Sequence, residues 1–179
     1  MNGLSFTSQT MSHKAVQAAF KLLKEKTNAY LNTQEKEQLR KAVHFGAYCH
    51  EKQIRKSGEP YITHPITVAA ILATLRVDVD TLIAGVLHDT IEDTDATYQQ
   101  LTDEFNADVA YLVEGVTKLD KIKFRNIKEA QAETFVKMLF AMAEDIRVII
   151  IKLSDRLHNM RTISAMSVSG QRRISQETI

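Results

Sequence analysis

Val16, Ala19, Phe20, Leu23 and Tyr30 recur near helical spacing among lysines, which predicts a first amphipathic helix over about residues 12–31. Thr33, followed by Glu35 to Glu37, reads as the N-cap of a second helix that buries Leu39, Val43 and Ala47 and ends near His50. The polar, breaker-rich run 51–61 reads as an ordered loop. A third helix opens near His64 with Pro65 in its first turn, where the missing N–H costs nothing. Asp78 or Asp80 caps a fourth, in which Leu82, Ala84, Val86 and Leu87 leave almost no polar face. Further helices are expected over 98–105, 107–119, 128–142 and 145–160, with a basic connector over 120–126. Val148 to Ile151 has the local pattern of a buried strand. It continues without a turn into the polar run that follows, so a buried helix is the better reading.

Composition supports an all-α fold. There are only 6 Gly and 2 Pro, and both prolines, Pro60 and Pro65, sit in one short stretch. A β-rich chain of 179 residues would need many more turn residues, so a bundle of about eight to ten helices is expected. The length fits one domain over 1–179, with an N-terminal helical part over 1–32 and a motif-bearing core over 33–179. A net charge of +1 argues against a protein that coats nucleic acid or an anionic membrane. No apolar run approaches the ~20 residues that span a bilayer. The first 14 residues lack the pattern of a signal peptide, and a lone cysteine, Cys49, excludes an internal disulfide framework. A cytoplasmic setting follows as the default.

The chemistry concentrates around His88. In Leu87-His-Asp-Thr-Ile-Glu-Asp-Thr94, four ionisable groups follow an apolar helical run. Burying them uncompensated would cost several kcal/mol, and a metal ion is an economical compensator for adjacent His88 and Asp89. In a continuous helix His88 and Glu92 share a face, with Asp89 and Asp93 on the neighbouring one. A Lewis acid beside carboxylate bases suits metal-assisted hydrolysis. The alternative is an exposed helix C-terminus with ordinary acids, although negative charge there opposes the helix dipole.

Further ligands must come from elsewhere, and His64 is one candidate. Asp155 is another, since an unpaired acid beside Ile151 in mid-helix would be costly; a salt bridge to Lys152, Arg156 or Arg161 also explains it. Asn159 lies one turn further, placed to reach a substrate or to cap. Such a His2Asp2 set is compatible with Mn, Fe or Zn. Cations gather nearby: Lys52, Arg55 and Lys56; Lys118, Lys121, Lys123 and Arg125; Lys152, Arg156 and Arg161. They suggest a phosphate-bearing substrate, against solvated faces as the plainer reading of the connector lysines.

Three long motifs stand in order: Arg55-Lys-Ser-Gly-Glu-Pro-Tyr-Ile-Thr-His64-Pro, His88-Asp-Thr-Ile-Glu-Asp-Thr94 and Lys152-Leu-Ser-Asp-Arg-Leu-His-Asn-Met-Arg-Thr162. Together they resemble the HD hydrolase domain of the RelA/SpoT alarmone enzymes, from about Lys41 to the end of the chain. The resemblance implies that His64, His88, Asp89 and Asp155 are metal ligands, usually for Mn2+, with Fe2+ or Zn2+ as alternatives. It implies that Glu92 and Asp93 orient or deprotonate the attacking water. It also implies that Arg55, Lys56 and Ser57 grip the guanosine end of the substrate, with Asn159 close to the nucleotide; the clustering of charge adds Lys152 and Arg156 as expected substrate-binding cations. The implied reaction removes the 3′-pyrophosphate of guanosine tetra- or pentaphosphate, as part of stringent-response control. The alternatives are another HD phosphohydrolase, or an alarmone-binding domain without turnover. Bifunctional members continue into a synthetase domain, so we expect this chain, which stops in the charged run 171–179, to be a piece of a longer enzyme, with a small stand-alone alarmone hydrolase as the alternative.

Overall fold

The structure, a computed structural model, describes residues 9–120 and 145–178. Among the described residues there are nine α-helices and no strand beyond an isolated antiparallel bridge between Ile54 and Pro60. The helices are α1 (Lys14–Thr27), α2 (Thr33–Cys49), α3 (Thr63–Leu72), α4 (Val79–Leu87), α5 (Thr90–Asp93), α6 (Tyr98–Glu104), α7 (Ala107–Asp120), α8 (Ile146–Arg161) and α9 (Val168–Thr178). No described helix is long and apolar enough to cross a membrane. The expected helix over 128–142 and most of the basic connector, including Lys121, Lys123 and Arg125, lie outside the described residues.

Helix starts follow local side-chain chemistry. The cap of α2 is Asn32 rather than Thr33: its Oδ1 accepts from the Glu35 N–H at 3.0 Å, and Glu35 Oε2 accepts from the Asn32 N–H at 2.7 Å. This reciprocal box needs the acid three residues after the cap, a spacing that Asn32 has with Glu35 and that Thr33, followed at that distance by Lys36, lacks. Of the two acids proposed for α4, Asp78 caps, accepting from the Thr81 N–H at 2.9 Å. Asp145 caps α8, and Arg147 bonds both Asp145 and Asp108, which ties the start of α8 to α7.

Helix α4 is the centre of the bundle. Every residue from Thr81 to Leu87 is buried, which explains its lack of a polar face. It packs against α2, α3 and α7; α8 lies against α3, α4 and α7, and α1 covers α3. Val148, Ile149 and Ile151 face the core from α8, so this apolar run is helical. Helices α3 and α4 pass each other closely in opposite directions at Gly85. A Cβ there would collide with Leu72 Cδ1 and stand 3.7 Å from the Ala69 Cα. We expect Gly85→Ala to destabilise the protein by about 1–3 kcal/mol through overpacking, read as a lower midpoint in urea unfolding. An unchanged midpoint would show that the crossing relaxes freely. The close crossing is what brings His64, early in α3, against His88 at the end of α4.

Candidate metal centre

Four side chains from three segments meet in one place. His64 Nε2 lies 3.1 Å from Asp155 Oδ1 and 3.8 Å from Asp89 Oδ2. His88 Nε2 lies 3.1 Å from Asp89 Oδ1 and 3.8 Å from Asp155 Oδ1. One ligand atom from each of His64, His88 and Asp155 falls within 4.8 Å of the others, and all three residues are buried. The meeting of adjacent His88 and Asp89 depends on a break in the helix. α4 stops at Leu87, His88 is its C-cap, and α5 begins only at Thr90. Asp89 takes φ −93° and ψ −5°, the sparsely populated bridge region in which active-site residues often sit. The continuous helical face expected from the sequence is therefore interrupted at this point.

The donor set fits a cation. His88 Nδ1 is 2.9 Å from the Gly85 carbonyl, so its N–H donates there and the Nε2 lone pair faces the two acids. That buried Nε2 has no hydrogen-bond partner among the described residues; Asp89 is close enough, but poorly directed. Two carboxylates and two imidazoles with converging lone pairs make the mixed nitrogen and oxygen set of a divalent ion. Without an ion, a proton substitutes. Burial opposes charge on His88, yet the adjacent charges of Asp89 and Asp155 push its pKa up to about 9. Burial raises both carboxyls, but His88 and His64 overcome it and hold them below the usual range. His64 moves the other way, because burial and its charged neighbour His88 disfavour a second proton.

A family model for the HD domain matches residues 42–179. The chain belongs to the HD domain family. Over 160 residues this HD domain is 54% identical to the bifunctional (p)ppGpp synthase/hydrolase SpoT of Escherichia coli K12, an alignment covering 89% of this chain and 23% of that protein. It is 53% identical over 144 residues to a GTP pyrophosphokinase of Myxococcus xanthus, covering 79% of this chain and 19% of that one. The chain thus spans about a quarter or less of the curated relatives it matches. Among solved structures, a metazoan ortholog of SpoT described as hydrolysing ppGpp aligns with a TM-score of 0.62 at 25% identity, covering 82% of this chain and 84% of that chain.

Within the HD domain, the other residues singled out from sequence surround this centre in different ways. Glu92 and Asp93 are exposed in α5, directly after Asp89. Although the residue is exposed overall, partial desolvation of its carboxyl, followed by the charge of Asp89, raises Asp93 above its ordinary value. Lys152 and Asn159 both hold Asp155: Nζ donates to Oδ2 at 2.9 Å, and Nδ2 donates to Oδ1 at 2.7 Å. Arg156 is half-buried beside Asp155. Arg55 reaches α8, where its Nη2 donates to Thr162 Oγ1 at 3.3 Å, and its Nη1 is buried with no partner among the described residues. Lys56 and Ser57 are exposed at the tip of the loop, where Gly58 adopts φ +95° and its N–H donates to the Arg55 carbonyl. Lys118 is exposed and paired with Glu114 at 2.9 Å, which accords with a solvated face at that position.

Four residues without an assigned role also belong to the centre. Tyr61 donates to Asp89 Oδ2 at 2.6 Å. His50, almost fully buried, stacks at a tilt on Tyr61 with centroids 4.8 Å apart, and its Nδ1 lies 2.8 Å from Gln53 Oε1. Gln53 Nε2 in turn donates to the Asp93 carbonyl at 2.8 Å. His158 Nδ1 lies 2.7 Å from His64 Nδ1. Tyr61 and His158 stand inside the quoted motifs, which was their only signal in the sequence.

Proposed function

We propose that this domain, acting as one unit over 1–179, is a guanosine-3′,5′-bis(diphosphate) 3′-pyrophosphohydrolase. In this reading it removes the 3′-pyrophosphate of the alarmone to leave GDP or GTP, in cytoplasmic control of the stringent response. A synthetase domain in a longer parent chain would be its covalent partner. What carries the reading is the buried convergence of His64, His88 and Asp155 within 4.8 Å, in a chain 54% identical to SpoT over 160 residues.

His64, His88, Asp89 and Asp155 would hold the metal, which we assign as Mn2+. When bound, such an ion supplies Lewis acidity toward a phosphate oxygen and the attacking water. The protein's own groups do the rest. Tyr61 fixes the Asp89 carboxylate, while Lys152 and Asn159 fix that of Asp155. Asp93, with its raised basicity, takes the proton of the water as it attacks phosphorus; the bond from that phosphorus to the ribose 3′-oxygen breaks, the departing oxygen takes up a proton to leave as the 3′-hydroxyl, and Glu92 helps to orient the water. Arg55, whose buried Nη1 has no partner among the described residues, together with Lys56 and Ser57, offers donors to the nucleotide, and Arg156 adds a cation beside Asp155.

The test is to incubate the Mn2+-supplemented chain with guanosine tetraphosphate and follow GDP and pyrophosphate. Release that stops on adding EDTA is the expected result. Release that persists in EDTA, or its absence in Mn2+ at any protein concentration, would overturn the assignment.

A further inference from the structure

His64 and His88 offer equivalent Nε2 atoms to the centre, but the opposite ring nitrogens are held differently. His88 Nδ1 meets a backbone carbonyl, that of Gly85, 2.9 Å away on its own helix. His64 Nδ1 meets a side chain from another helix, His158 of α8, with the two Nδ1 atoms 2.7 Å apart in a buried contact and the rings tilted by 34°. At that distance the two nitrogens share one proton, so one donates and the other accepts. If Nε2 of His64 is to ligate a cation, its proton must sit on Nδ1, and only an acceptor at the His158 position can receive that N–H.

We infer that His158 is a positioning residue for the metal centre: its Nδ1 accepts the Nδ1–H of His64, which fixes the His64 tautomer and ring angle with the Nε2 lone pair toward Asp155 and Asp89. The inference rests on His64 being a ligand. It adds a requirement on the fold, because Asp155 and His158 are three residues apart on one face of α8. Docking of this single helix thus delivers both a ligand and the group that prepares a ligand on α3. His88 needs no such help, since substitution cannot remove a backbone carbonyl.

Mn2+ titrated calorimetrically into the full chain tests this with His158→Leu and His158→Asn. Asn keeps a carbonyl oxygen close to the place of Nδ1, whereas Leu fills the space without an acceptor. Loss of such an outer partner is expected to weaken Mn2+ binding by ~10–100-fold in His158→Leu, with His158→Asn restoring most of it. Thermal melts of the metal-free proteins report folding separately. A folded His158→Leu that binds Mn2+ like the parent, or an Asn variant as weak as the Leu variant, overturns the inference. Should the Leu variant not fold, long-range 1H–15N spectra of the Zn2+-loaded parent decide. A proton on His64 Nδ1 supports the assignment, and a proton on Nε2 refutes it. Failure of the parent to bind Mn2+ would instead remove the metal reading itself, and this inference with it.

Discussion

Asp93→Asn is expected to lower release of pyrophosphate from guanosine tetraphosphate by ~10²–10⁴-fold while leaving Mn2+ affinity nearly unchanged. The size follows from removing a general base and keeping its shape. Asp93 is exposed and is not one of the side chains whose ligand atoms converge within 4.8 Å, so the substitution spares those atoms. Its backbone is anchored: Gln53 donates to the Asp93 carbonyl at 2.8 Å, and the same amide is tied to the buried His50 at 2.8 Å. The Asn side chain therefore occupies the place of the acid without its basicity. Steady-state kinetics and Mn2+ calorimetry on the same preparation separate the two effects. Loss of Mn2+ binding in this variant would make Asp93 a ligand or a structural group, and full turnover would remove it from the chemistry.

Asp155→Ala is expected to abolish Mn2+ binding and turnover together and to destabilise the fold by about 3–5 kcal/mol, the usual scale for removing one partner of a buried charged cluster. Asp155 is 5% exposed and accepts from Lys152 and Asn159, with His64 Nε2 at 3.1 Å. Deleting the carboxylate removes the acceptor of the Lys152 hydrogen bond and one of the two counter-charges that favour a protonated His88. Asp155→Asn keeps the volume and an acceptor for Lys152, so it should be the more stable variant while still failing to bind Mn2+ tightly. Urea unfolding and calorimetry measure the two losses. Near-parental Mn2+ affinity in Asp155→Asn would exclude the carboxylate from the coordination set.

Much of the fold was legible one helix at a time. The shortage of Gly and Pro, the spacing of Val16 to Leu23 and the unbroken apolar run of α4 required only local periodicity, which a 3.6-residue repeat makes visible. The acid before α4 and the acid before α8 are likewise local signals, since a cap bonds backbone groups two or three residues away. The misplacement of the α2 cap by one residue has the same origin. Asn32 and Thr33 are both good caps by type, and only the reach of Glu35 back to Asn32 chooses between them.

The centre itself was half legible. That His64, His88, Asp89 and Asp155 carry unusual chemistry is visible from charged groups set in apolar runs, because burial of an uncompensated charge is costly. Their distances were not visible, nor was the break after Leu87 that lets neighbours His88 and Asp89 face the same point. Lys152 stood open as a substrate cation or a salt-bridge partner of Asp155, and Asn159 as a substrate contact or a cap; the structure bonds both to Asp155. His158, Tyr61, His50 and Gln53 gave no signal of their own, since each acts through a contact spanning from three to 94 residues of chain. The sequence by itself determined the helices, their buried faces and the chemical types available to a site. Only the tertiary structure decided which of those groups meet and which merely hold others in place. Periodicity specifies what one helix presents, whereas the close passage of α3 and α4 at Gly85 and the seating of α8 against them specify what each presented group finds opposite.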